Sequence, residues 1–277
     1  MKNRDILLLL LLFYQPRNLF SQEFSLERIV PANGLGPVNV LYKIDLESGL
    51  RNLFYTIQDS YSISQQIKIS PHFKYVGLIA GKKFEKDSKG IDFSPTLFVV
   101  LDNKGKELYK LENVQAFDFL PSDSEIVIID GIDYEGFGFK ARDMKIINIE
   151  SGVAKKIADV AEENEQDVRW NAYDSLIYAT NNIDVNIYHP KTLKKSRSSY
   201  KGIYFSPDGK YYYKPAIEGT ELRVYDMNGN MDVTPKNLNE VYNSFSEWLP
   251  GEPHTLVAGE YFKGKIILDV EKQIVQR

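Results

Sequence analysis

Three histidines are the first residues in this 277-residue chain that could take part in acid–base or metal chemistry: His72, His189 and His254. Each lies at or beside a turn, the three are widely separated, and no His-x-x-x-His or His-Glu-x-x-His spacing occurs. A zinc centre needs several ligands converging on one ion, so this spacing predicts neither a metal site nor a catalytic role. One string does resemble a cation loop. Asp226-Met227-Asn228-Gly229-Asn230-Met231-Asp232 sets an oxygen-bearing side chain at every second residue, as a calcium loop does. Its glycine, however, stands fourth rather than sixth, and the twelfth position is Asn237 instead of glutamate. The string also coincides with a turn of the repeat described below, and it reads as a hairpin. The carboxylate pairs Asp130/Asp133 and Asp87/Asp92 fall in expected loops, where spacing alone brings nothing together. The absence of cysteine excludes disulfides, thiolate metal sites, cysteine catalysis and a lipid anchor at that residue. No Gly-x-Ser-x-Gly elbow and no glycine-rich phosphate loop occurs. With 34 Lys+Arg against 38 Asp+Glu the net charge is −4, which leaves no electrostatic footprint for nucleic acid. The residues predict a chain with no metal, no cofactor and no catalytic constellation.

The chain opens with Lys2 and Arg4, then the apolar run Ile6 to Tyr14, then a polar stretch ending at Ser21. A charged start, a short apolar core and a small residue at the cut predict a secretory signal peptide over 1–21. The run is too short for a membrane span, and no later segment approaches the length one needs. The mature chain, 22–277, is therefore expected to be a single exported domain, periplasmic or secreted, with no membrane span. Aromatic residues make up 13% of the chain, with 18 Tyr and 15 Phe, which favours β structure.

Two kinds of hairpin then alternate along the chain. The first is an apolar strand, a turn opened by Asp or Asn, and a second strand, as in LYKIDLESGLRNLF from Leu41, LFVVLDNKGKELYKL from Leu97 and LRVYDMNGNMDVT from Leu222. Asp45 and Asp269 open the first and last of six such turns, 224 residues apart, or about 45 per repeat. Gly49, Gly105, Gly152 and Gly229 are expected to supply a positive φ where the next strand begins. The second hairpin reads IKISPHFKYVGLIA from Ile67, FDFLPSDSEIVIID from Phe117, VRWNAYDSLIYAT from Val168, IYFSPDGKYYYK from Ile203 and FSEWLPGEPHTLVA from Phe245. Two hairpins per period make four strands, and such units bury their faces only by stacking on one another.

Ser206-Pro207-Asp208-Gly209-Lys210 resembles the SPDGK signature of TolB-type, WD-repeat-like β-propellers, and Val224 to Gly229 is similar to the strand and turn that follow it there. The other copies are degenerate, and the resemblance spans roughly 38–277. It implies an all-β propeller, with six four-stranded blades as the first expectation and five or seven as alternatives. Segments 66–111, 116–157, 168–197, 202–234 and 245–276 each hold both hairpins. A remaining blade would use 38–57, completed by a strand near Phe24 to Val30.

In such a blade the short turns share one face and the longer connections, 81–95, 131–143, 158–167 and 235–244, share the other. Loops on a rigid scaffold carry function. Phe84 and Phe93 in the first insertion, and Tyr134, Phe137, Phe139 and Arg142 in the second, are the candidate partner-binding residues, as aromatic anchors among polar groups. Ala158 to Asp167 is acidic and expected to be a short helix or a solvated loop. The leading expectation is a non-enzymatic binding module of the bacterial cell envelope that engages a protein or peptide. The alternative is a channel-site enzyme, a calcium-assisted hydrolase or lyase acting on glycans or lactones.

Overall fold

A computed structural model describes residues 22–29, 38–45, 50–57, 61–72, 74–82, 85–86, 90, 92–134, 138–161, 165–181, 183–200, 202–214, 222–235, 244–248, 254–260 and 264–276. The expected signal peptide lies outside them. The described residues form antiparallel sheets and no helix, in two compact units, one up to Asp167 and one from Val168 onward.

In the first unit, Gln22–Ile29, Val38–Asp45 and Arg51–Ile57 make a three-stranded sheet, so the strand expected near residues 24–30 does complete the first repeat. The second sheet runs Tyr61–Ile69, Tyr75–Lys82, Thr96–Asp102, Glu107–Glu112, each strand paired to the next. The third is larger. Val114–Phe119, Glu125–Tyr134, Gly138–Asn148 and Ala154–Asp159 form its body, and Asp92–Ser94 and Glu85–Lys86 extend it. In the second unit the fourth sheet holds Asp167–Asn171, Leu176–Thr180, Val185–Tyr188 and Lys195–Arg197. The fifth holds Tyr204–Phe205, Tyr211–Lys214 and Arg223–Asp226, with Asp232 bridging back to Tyr225 in place of a full fourth strand. The sixth holds Ser244–Trp248, Thr255–Glu260, Gly264–Asp269 and Ile274–Gln276.

The turn chemistry is largely as the residue types dictate. Asp102 Oδ1 accepts the amides of Lys104 and Lys106, and Asn148 Oδ1 accepts that of Ser151. Gly105 and Gly152 take positive φ at these turns, while Gly49 lies outside the described residues. At the Asp226 turn the positive φ falls on Asn230 and not on Gly229, because asparagine tolerates the left-handed region and the turn closes one residue later. That turn also settles the calcium-like string as a hairpin. Asp226 Oδ1 accepts the Asn228 amide and Asp232 faces Arg223 and Thr234, so each carboxylate serves its own strand ends.

Neighbouring sheets bury each other. Phe98, Val100, Phe117, Ile126 and Ile128 unite the second and third sheets, and Tyr213, Val224, Trp248 and Leu256 unite the fifth and sixth. Gly77 lies against the first of these cores. A Cβ there would run into the Phe117 ring, which is itself fully buried against Phe98 at 4.7 Å. Gly77→Ala should therefore cost about 1–3 kcal/mol by overpacking, read as a lower urea midpoint with an unchanged slope. A variant as stable as the parent would show that the ring can move aside.

Candidate functional site

The first strand of each second-type hairpin repeats one feature. A polar or charged residue stands two places before the turn, at Lys68, Asp118, Arg169, Tyr204 and Glu247, between two apolar neighbours in the first four. Period-two geometry places these at the same register of successive first strands. Within the first unit two of them meet. Lys68 Nζ lies 3.2 Å from Asp118 Oδ1, donates to the Phe117 carbonyl and sits over the Phe117 ring at 5.2 Å. Within the second unit two more meet, as the Arg169 guanidinium lies 5.5 Å from the centroid of the Tyr204 ring.

Aromatic side chains continue from Tyr204. Its ring stacks on Tyr213 at 5.0 Å, and its carbonyl accepts the Trp248 indole N–H at 2.9 Å. Trp248 in turn stacks against Tyr211 at 6.5 Å, and Tyr211 meets His254 edge-on at 5.4 Å. Trp248 is buried, whereas Arg169, Trp170 and Tyr204 are half-buried. The far end is acidic. His254 Nδ1 lies 2.6 Å from Glu271 Oε2, and Nε2 lies 3.3 Å from Asp208 Oδ2, so the ring spans turns of the fifth and sixth sheets. Burial raises the Tyr211 phenol above its ordinary value, and the carboxylates of Asp226, Glu271 and Asp208 add to that. Burial acts on Asp208 in the upward direction too, yet hydrogen bonds from Ser206, the Lys210 amide and His254 hold its carboxyl below the usual range.

A second aromatic group lies between the fourth and fifth sheets and is structural. Tyr178 donates to Asp174, Tyr200 to the Met227 carbonyl and Tyr212 to Asn230. Burial first, and then the Asp174 carboxylate, push the Tyr178 phenol far above its ordinary value, so it stays a neutral donor.

The expected partner-binding residues are distributed differently from a pair of loops. Phe84 and Phe137 lie outside the described residues. Phe93 stands directly opposite Tyr134, and Phe139 directly opposite Asp133, so the two insertions belong to one continuous sheet. The extension starts at a bulge between Ile129 and Gly131. There Asp130 accepts the Asp143 amide at 2.8 Å and binds Lys145, while Lys156 pairs with Asp143 at 2.6 Å. Arg142 is exposed on the same strand. Sequence reasoning read the glycines here as loop signals and missed that strand pairing satisfies the backbone. It also missed Arg169, Trp170, Tyr204 and Trp248. The signal for the first and third of these was the polar residue repeated before each turn, visible once the hairpins are aligned.

No protein-family model and no curated protein matches the chain. Solved structures do. An oligogalacturonate lyase from Vibrio parahaemolyticus matches with a TM-score of 0.57 and 12% identity, over 95% of this chain and 90% of its own. An oligogalacturonate lyase in complex with manganese matches at 0.54 and 11%, over 89% and 85%. The β-propeller domain of the trilobed protease from Pyrococcus furiosus matches at 0.56 and 14%, over 95% and 83%. The chain has the β-propeller fold. It spans under half of the acylaminoacyl peptidase of Pyrococcus horikoshii, at 12% identity and a TM-score of 0.58.

These findings correct the expectation of a non-enzymatic binding module. The structures matched along most of their length include two oligogalacturonate lyases, which are enzymes and favour the channel-site alternative. Manganese does not fit the described residues. No three His, Asp or Glu side chains converge among them, and His72 and His254 face the carboxylates of Asp123 and of Glu271 and Asp208.

The Asp208 carboxyl gives a pH test. A group depressed on folding stabilises the fold above its ordinary pKa, and that contribution disappears as pH falls through the folded value. The parent should lose stability as pH falls through and below the ordinary carboxylate value of 3.8, and Asp208→Asn should flatten that slope in urea titrations. Parallel slopes would remove Asp208 from the account.

Proposed function

We propose that the chain is an exported propeller enzyme of six blades that acts on an acidic glycan, with Arg169 as the anchor for a substrate carboxylate. The observation that carries this reading is the contact between equivalent repeat positions, Arg169 over Tyr204. In a propeller the first strand of a blade lies innermost, and on this reading Arg169 and Tyr204, both in the second unit, belong to the channel side of their blades. A guanidinium presents paired N–H donors that match a carboxylate, and the Tyr204 ring, in contact with both Arg169 and Tyr213, supports it through a cation–π contact. The likeness to the oligogalacturonate lyases supports this substrate class and a lyase reaction. The exported location rests on the charged start and short apolar run of residues 1–21.

In an eliminative cleavage a base removes the proton on the carbon bearing the carboxylate. The electron pair becomes a carbon–carbon double bond, and the glycosidic oxygen one carbon further on leaves and takes up a proton. Neither water nor a redox partner is consumed. Negative charge builds on the carboxylate as the proton departs, and a fixed cation there lowers the barrier. Arg169 meets that requirement, and Tyr204 holds the guanidinium in place from below.

The test is turnover of short uronate oligosaccharides by the 22–277 chain, followed by the ultraviolet absorbance of the unsaturated product. Arg169→Ala should lower kcat/KM by about 100-fold or more, with Arg169→Lys intermediate. Absence of turnover on every acidic oligosaccharide, or an Arg169→Ala variant as active as the parent, would overturn the reading.

A further inference from the structure

The outer edge of the fourth sheet carries a block of positive charge. The strand Lys195–Arg197 and the turn before it place Lys191, Lys194, Lys195 and Arg197 within seven residues, all exposed, in a chain of net charge −4. The turn is well defined. His189 accepts the Leu193 amide at 2.8 Å and donates its own to the Lys194 carbonyl at 2.9 Å, with Leu193 at a φ of 57°. Arg197 meets the Asp184 carboxylate, and Lys195 Nζ lies 6.0 Å from the centroid of the Tyr188 ring. Lys191 and Lys194 have no acidic partner among the described residues.

Edge lysines commonly protect a strand from pairing with another chain, and one or two suffice for that. The other sheet edges show what protection alone looks like here. Arg51–Ile57 has one cation, Glu107–Glu112 has two acids and one lysine, and Ile274–Gln276 has no charge. Ala154–Asp159 has two lysines, one of which pairs with Asp143 and Asp159. The fourth edge alone among these stacks cations of one sign over a turn and a strand, with Lys195 and Arg197 on one side of the strand about 7 Å apart.

We propose that this edge binds a run of an acidic polysaccharide at a place distinct from the Arg169 position. The choice of a polysaccharide over other polyanions rests on the acidic-glycan reading above. Several cations in a row suit a polymer with regularly spaced carboxylates, because each contact adds to the same chain and none has to be strong. The edge would hold a long substrate close to the blade while its reacting unit occupies the channel.

The probe is long-chain polygalacturonate, with neutral glucan and phosphatidylglycerol vesicles alongside, each titrated against the 22–277 chain. Retardation by polygalacturonate should weaken as salt rises, and Lys191→Glu/Lys194→Glu should weaken it by about tenfold or more. Arg169→Ala should leave that retardation in place while lowering kcat/KM on short uronates, so failure at the channel and failure at the edge are read separately. Unchanged retardation in the double variant overturns the proposal, as does binding to vesicles in preference to the polymer. Because the substituted lysines are exposed and have no acidic partner among the described residues, the double variant should keep the parent's urea midpoint. Lys191→Gln/Lys194→Gln gives the same test without charge reversal.

Discussion

A sheet with two apolar faces cannot hold its shape in water, and the central strands described here have that problem. In the third sheet Ile126, Val127, Ile128 and Ile129 are all fully buried in sequence, so both faces of the strand are covered. Each sheet is therefore stable only when neighbours cover it, and the positions of all other features follow from that stacking. Gly77 is glycine because the Phe117 ring of the next sheet occupies the space. Gly209, at a φ of 73°, sits against Asn171 of the sheet before, whose amide donates to the Gly209 carbonyl at 3.2 Å. Contacts such as Asn171 with Gly209, or His72 with Asp123, fix one sheet's register against its neighbour, which the apolar faces alone do less sharply.

The same stacking explains how single residues of unrelated chemistry come together. The first strand is a sheet edge, and its side chains one register apart alternate between the buried interface and the opposite side. Val168 is fully buried while Arg169 is half-buried, and Phe117 is fully buried while Asp118 is half-buried. One polar position per repeat is thus left outside the apolar interface and brought near the equivalent position of the adjacent repeat. Lys68 with Asp118, and Arg169 with Tyr204, are products of the repeat geometry rather than of any local motif. A propeller can in this way assemble a site from residues some 35 to 50 positions apart without a recognisable signature in the chain.

That sets what the sequence made legible. Hairpins were readable because their causes are local: Asp102 and Asn148 close their own turns, and Ser206 caps the Tyr211 amide five residues away. The alternation of two hairpin types gave the all-β repeat fold for the same reason. The joining of residues 85–94 to residues 131–134 was not readable, because it depends on pairing between segments some 40 residues apart and on a bulge at Asp130 that turns the strand. The glycines at 136 and 138 signalled a loop when read locally. Arg169 and Tyr204 went unnoticed because neither belongs to a motif, and only their shared register shows that they face the same way.

Net charge has to be read in the same local terms. A value of −4 argues against a polyanion partner only if charges act as a sum, and at physiological ionic strength screening confines each to about 8 Å. Within that distance the third sheet neutralises itself, as Lys145 is shared between Asp130 and Asp143 and Lys156 lies between Asp143 and Asp159. No acidic side chain among the described residues pairs with Lys191 or Lys194 at the fourth edge. Composition therefore excludes a long-range attraction to nucleic acid, but it leaves open an anionic polymer held at close range by the few cations whose neighbours do not neutralise them.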